Sequence, residues 1–172
     1  LEPWELQLLS NVGIEGNPLD AINRINNGPV LFIASDGSVQ DGTYGSCSFI
    51  ITIAPSRRRI AWGSSSVPGK QPSSFRAEAY GVLAASRFLF HLSRFTDSPI
   101  NQRIRHWIDN QSVVLRLQQM LSGQAWNSNH TLSNDWDVMI EIESTLKSMS
   151  GIVYTAHWIK SHQDREREVQ DL

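Results

Sequence analysis

Cysteine is nearly missing from this 172-residue chain: Cys47 is the only one. That excludes an internal disulfide and a zinc site built from several thiolates. Long apolar runs are missing too. None approaches the ~20 residues that cross a bilayer, so no membrane partner is expected. Neither sign of charge dominates: 15 Lys and Arg stand against 17 Asp and Glu, for a net charge of −2. Nucleic-acid proteins usually carry a basic face, and here any such face must be local. Arg57, Arg58 and Arg59 make one basic knot, and Arg103, Arg105 and His106 another. A solvated hairpin tip and a solvated strand start explain them equally well. No repeat, low-complexity tract or signal peptide is visible. A reducing, intracellular setting, cytoplasmic or nuclear, is expected. The chain opens on Leu rather than Met, which suggests a piece of something longer.

What is present fits one globular domain, with 40% apolar and 19% charged residues. Residues 1–28 carry turn signals at Gly13, Gly16-Asn17-Pro18 and Asn26-Asn27-Gly28 and read as a loose leader or linker, with one short helix over Leu19–Asn26. Apolar runs predict strands over Val30–Ser35, Ser46–Ala54 and Arg58–Ser66, joined by short turns as an antiparallel meander. The pattern then changes. A helix capped by Ser73 or Ser74 runs to about Leu92, with apolar residues near a period of 3.6. A strand over Ile104–Ile108 and a helix over Ser112–Leu121 follow. A helix capped by Ser133 or Asn134 runs to about Met149, with Asp135 and Asp137 complementing its dipole. Gly151–Ile159 is the last strand, and Lys160–Leu172 has no apolar period. A meander followed by alternating helix and strand implies an α/β domain with a mixed sheet.

Three acids stand out. Asp36 ends the first strand before Gly37, Asp109 ends the fourth, and Glu78 opens the first long helix. Each has an ordinary reading: a turn residue, an N-cap and a dipole partner. Together they read differently. Open α/β sheets bind ligands beyond the carboxyl ends of their strands. Converged acids repel unless a cation joins them. Oxygen donors of this kind suit a hard divalent ion.

Four segments resemble the type I ribonuclease H family: Asp36-Gly37-Ser38 after a strand, Ser74-Phe75-Arg76-Ala77-Glu78 on a helix, Ile108-Asp109-Asn110-Gln111, and Trp158-Ile159-Lys160-Ser161-His162 after a late strand. The Arg-Ala-Glu helix is most like the versions fused to retroelement reverse transcriptases. The resemblance covers residues 29–163. It implies a five-stranded sheet in order 3-2-1-4-5, strands 1–3 antiparallel, with helices on both faces, in a domain spanning residues 29–172. It implies an endonuclease cutting the RNA strand of RNA/DNA hybrids with two Mg²⁺ ions, for which Mn²⁺ can substitute. Its partners would be the hybrid and a fused or associated reverse transcriptase. Asp36, Glu78 and Asp109 match the family's metal-binding acids, with Asp36 the candidate for sharing between ions, and His162 matches its loop histidine. Ser38, Ser74, Asn110 and Gln111 match contacts to the hybrid's sugar–phosphate edges. The fourth acid falls nearest Asp171, which has no helix around it; the expectation is a domain cut before its last helix. The family's basic protrusion has no clear counterpart, since the polar loop 124–133 carries Trp126 but no lysine cluster. The competing readings are a non-catalytic module of the same fold that binds nucleic acid or protein, and a DNA-cutting relative such as an integrase or resolvase. The mid-chain Arg-Ala-Glu helix favours ribonuclease H over the latter.

Overall fold

The computed structural model of the chain describes residues 1–41, 43–123 and 135–160. Its elements, in chain order, are α1 (Pro3–Leu8), β1 (Val12–Ile14), α2 (Pro18–Asn27), β2 (Leu31–Gln40), β3 (Tyr44–Ile53), β4 (Arg58–Ser66), α3 (Ser74–Thr96), β5 (Gln102–Ile108), α4 (Gln111–Leu121), α5 (Trp136–Lys147) and β6 (Ile152–Trp158). The strands follow their side-chain alternation. Cys47, Phe49, Ile51 and Ile53 of β3 are buried, while Ser48 and Ile50 between them are exposed. Helix α3 starts where Ser73 accepts the Arg76 N–H, and it stops at Asp97 in the left-handed region, φ 50°.

One sheet holds six strands in the order β1-β4-β3-β2-β5-β6. Strands β2, β3 and β4 are antiparallel, and β5 and β6 continue the sheet in parallel with β2. These five strands have the expected order and directions. The sixth, β1, was not expected; it pairs antiparallel with β4 from Val12↔Gly63 to Ile14↔Ala61.

The reading of residues 1–28 as a loose leader is therefore corrected. Helix α2 falls where the short helix was expected. But Leu8, Ala21, Ile22 and Ile25 are buried in the same core as the rest of the chain. A six-residue helix and a three-residue strand are too short to show a period. Their order comes from tertiary partners. Gly13 lies against the Trp62 indole, where an added Cβ would stand 2.3 Å from the ring. Glu5 of α1, only 2% exposed, accepts hydrogen bonds from the Arg87 guanidinium and the Glu2 N–H, and pairs with His91. Among the described residues, no helix is long and apolar enough to cross a membrane.

Candidate active site

Strand β2 loses its two neighbours at different points. Its parallel ladder with β5 runs from Leu31↔Ile104 to Ser35↔Ile108. Its antiparallel ladder with β3 continues to Gln40↔Tyr44. Asp36 thus does not end its strand, as the following glycine implied. It is the first residue past the parallel ladder, and Asp109 is the first residue past the same ladder on β5. The two acids are lateral neighbours, on strands that an ideal sheet holds about 4.8 Å apart.

Glu78 joins them from α3. Its side chain is buried, at 3% exposure. Oε2 accepts the Gly37 N–H at 2.9 Å, and Oε1 accepts the Asp109 N–H at 3.2 Å. One carboxylate therefore ties the ends of two strands together. The N–H dipoles favour its charged form against the cost of burial.

The approach of α3 to the sheet requires glycine. A Cβ on Gly37 would meet the backbone of Ala77 and Glu78 at 2.3 Å, and one on Gly81 would meet the Asp36 carbonyl oxygen at 3.1 Å. At Gly37 the obstacle is main chain, which cannot rotate away. Gly37→Ala is expected to destabilise the fold by about 3 kcal/mol, at the upper end for an overpacked core, read as a lower urea midpoint. It should also disturb the donor that Glu78 holds.

Cys47 lies under the same site. Burial, with the Glu78 charge adding to it, pushes the thiol up to about 12. A thiol held neutral in a core does not attack. The native chain is expected to resist an aromatic disulfide reagent at pH 8 and to react once unfolded in urea.

The donors on this rim are all carboxylate oxygens, the chemistry of a hard divalent cation. Oδ1 of Asp36 is buried against the sheet. Among the described residues, no three acid, imidazole or thiol side chains stand gathered as a group that could hold a metal ion. The structure brings Asp36, Glu78 and Asp109 to one rim without closing them into a cage.

No family model and no curated protein matches the sequence. Solved structures do. RNase H1 from the halophilic archaeon Halobacterium salinarum NRC-1 superposes with a TM-score of 0.51 at 13% identity, over 83% of this chain and 98% of that one. LC11-RNase H1, solved in complex with an RNA/DNA hybrid, gives 0.57 at 12% identity, over 79% and 89%. The foamy viral protease-reverse transcriptase, also in complex with an RNA/DNA hybrid, gives 0.53 at 12% identity, over 85% of this chain and 19% of that longer one. This chain has the ribonuclease H fold.

Within the ribonuclease H fold, the other expected residues are placed as follows. Ser38 lies two residues beyond Asp36 on the same face of β2, and its hydroxyl meets that of Ser46 at 2.9 Å. Asn110 caps α4, its side chain accepting the Val113 N–H at 3.1 Å. Gln111 and Ser74 are exposed in the first turns of α4 and α3. His162, Asp171 and Trp126, and the cap expected at Ser133 or Asn134, lie outside the described residues.

Two features escaped the sequence reading. His106, placed with a solvated strand start, is fully buried. Its Nε2 lies 2.6 Å from the Ser35 hydroxyl and its Nδ1 lies 2.7 Å from the Tyr154 hydroxyl. Burial pushes the Tyr154 phenol up, so it remains protonated. This trio links β2, β5 and β6 just beneath Asp36 and Asp109. Alternation along β5 held the signal, because His106 shares a face with Ile104 and Ile108. The second feature is Arg76. It binds Asp137 at 2.8 Å and Asp135 at 3.4 Å, and its hydrogen bond holds the Asp137 carboxyl below the usual carboxylate range. Those acids were read as dipole partners; they also tie α3 to the start of α5.

Proposed function

We propose that this chain hydrolyses the RNA strand of RNA/DNA hybrids, as the ribonuclease H part of a retroelement polyprotein. The observation that carries the reading is the Glu78 carboxylate bonded to the Gly37 and Asp109 N–H groups at the end of the parallel ladder. It ties together the ends of the two strands that carry Asp36 and Asp109, where sheets of this kind bind ligands. Two of the similar structures are complexes with such hybrids. Asp36, Asp109 and Glu78 would hold divalent ions, and their donor chemistry fits Mg²⁺ or Mn²⁺. When bound, two such ions supply an activated water and neutralise charge on the phosphate during in-line displacement. The residues do the rest. Asp36 and Asp109 present oxygens from adjacent strands, and Glu78 keeps those strand ends in place. Asp171 would complete the ligands, and His162 would assist proton transfer or product departure. Ser38, Ser74, Asn110 and Gln111 would contact the sugar–phosphate edges of the hybrid, and a reverse transcriptase domain would add to its grip.

The test is cleavage of an end-labelled hybrid in Mg²⁺ by the chain and by Asp109→Asn. Cutting of the RNA strand by the parent, lost in the variant, supports the reading. Hybrid binding without cutting, also in a chain extended at its C-terminus, supports instead a non-catalytic nucleic-acid- or protein-binding module. The absence of a gathered metal-holding group among the described residues favours that second reading.

A thermal measurement adds an independent check. Mg²⁺ is expected to raise the melting temperature by binding the folded state. Asp109→Asn should melt higher than the parent in EDTA, because one of three crowded charges is gone, and should respond less to Mg²⁺. A variant that melts lower in EDTA would contradict repulsion between the acids.

A further inference from the structure

The two basic knots of the sequence meet on one face of the sheet. The core cluster draws on the other face, through Ile33, Ile51, Ile104 and Ala156, and the buried residues of α1 to α5 all join it there. The strand residues that alternate with these line the opposite face. Two registered rows cross that face. One runs from Arg59 through Phe32 to Arg105, and the next from Trp62 through Ile50 to Trp107 and His157. Arg103 lies two residues before Arg105 on the same side of β5. Arg59, Arg103 and Arg105 are exposed, and so is Ile50 at 44%. Among the described residues none of the three arginines pairs with an acid. Asp36 is the only acid in any of the six strands. It lies four residues along β2 from Phe32, ~13 Å in an extended strand. In a chain of net charge −2, this face is locally cationic.

Planar groups accompany the charge. The Arg59 guanidinium lies 3.8 Å from the centre of the Trp62 ring, and that ring rests on Gly13 of β1. Trp107 stacks with His157, their ring centres 4.7 Å apart. Burial, with the Arg105 charge adding to it, holds the His157 imidazole below its ordinary value, so this pair is an uncharged aromatic step. Trp62 and Trp107 stand three strand spacings apart, ~14 Å. Aromatic rings and guanidinium planes stack bases of any sequence, and arginines track phosphates. A duplex keeps its base faces inside its own stack. An acidic peptide would have to match a charged row and an aromatic row at once, whereas a single strand carries phosphates and planar bases along its whole length. We propose that this open face binds single-stranded nucleic acid, RNA or DNA. Bases rest on the Arg59–Trp62 and Trp107–His157 steps, and phosphates meet Arg103 and Arg105. The surface is separate from the acids at the end of the parallel ladder, and its binding does not depend on the hybrid-cleaving reading.

The test is fluorescence anisotropy of a labelled oligothymidylate and of an oligouridylate of equal length. The full chain is used in EDTA, so that no ion bridges phosphate to the acids. Both probes are expected to bind alike, and more tightly than a DNA duplex of equal length. Arg59→Ala and Arg105→Ala should each weaken binding about threefold, the scale of one exposed ion pair, and about tenfold together. Each should flatten the logarithmic salt slope by about 0.7, the value for one phosphate contact on a single strand. Both side chains are exposed, so the urea midpoint should hold. Trp107→Leu should weaken binding about tenfold, the scale of one lost base stack. If that variant lowers the urea midpoint, the arginine variants decide. A parent without saturable binding overturns the proposal, and so does unchanged affinity in the double arginine variant. Loss of binding in a chain extended at its C-terminus also overturns it, since a polypeptide segment then occupies the face. Cleavage of a blunt hybrid that falls in step with oligonucleotide binding across the arginine variants overturns a separate surface. A parent that binds both probes and cuts no hybrid supports this surface and overturns the cleavage reading alone.

Discussion

Glu78→Ala is expected to abolish hybrid cleavage and to destabilise the fold at the same time. The carboxylate is buried and accepts two backbone N–H groups, from Gly37 and Asp109. Removing it leaves both donors without that acceptor. Each such loss costs about 1–3 kcal/mol, so a total of roughly 2–6 kcal/mol is expected in urea unfolding. The ends of β2 and β5 would lose their common tie, and Asp36 and Asp109 their relative placement. Glu78→Gln separates the two effects. Its one carbonyl oxygen can still accept one N–H, while its NH₂ faces the other. It should retain more stability than Glu78→Ala and yet lack the charge for a cation. Cleavage by Glu78→Gln near the parental rate would remove Glu78 from the metal-binding set. Full stability of Glu78→Ala would show that the strand ends hold without it.

Glu5→Ala is expected to cost about as much, far from the chemistry. Glu5 accepts from Arg87 and pairs with His91. Breaking a buried pair from one side leaves the other charge uncompensated, at about 3–5 kcal/mol. For a chain of this size that lowers the melting temperature by roughly 10 °C. The same pair predicts a pH dependence. Burial pushes the Glu5 carboxyl up, but the Glu2 N–H, His91 and Arg87 together outweigh it and hold it below its ordinary value. A carboxylate lowered in the folded state stabilises above its unfolded pKa and loses that contribution as pH falls through its folded pKa. Stability should therefore be full at neutral pH and decline below about pH 4, the ordinary carboxylate range. In Glu5→Gln that decline should be shallower, because one of the groups responsible is absent. Parallel acid limbs for parent and Glu5→Gln, from urea midpoints at pH 7 and pH 3, would exclude Glu5 as a source.

Local chemistry announced most of the fold. The alternation in β3, the Ser73 cap and the 3.6-residue period of α3 are readable by inspection, because each depends on neighbours within a few residues. So were Asp36, Glu78 and Asp109 as candidates, since each breaks an apolar pattern at a recognisable boundary. Other features needed partners distant in the chain. Strand β1 exists because β4 offers an edge and Gly13 admits Trp62. Glu5 is buried because Arg87 and His91, more than eighty residues away, meet it. His106 reads as one of a basic knot until Ser35 and Tyr154 flank it. Asp36 looks terminal because glycine follows, yet β3 pairs on to Gln40 while β5 stops at Ser35. The amino-acid order settled which residues were apolar, which broke helices and strands, and which carried charge, because these are properties of single residues and short spacings. Which acids share a rim, which ions are buried and which arginines share a sheet face were settled by packing, because burial and register are relations between segments that no local pattern encodes.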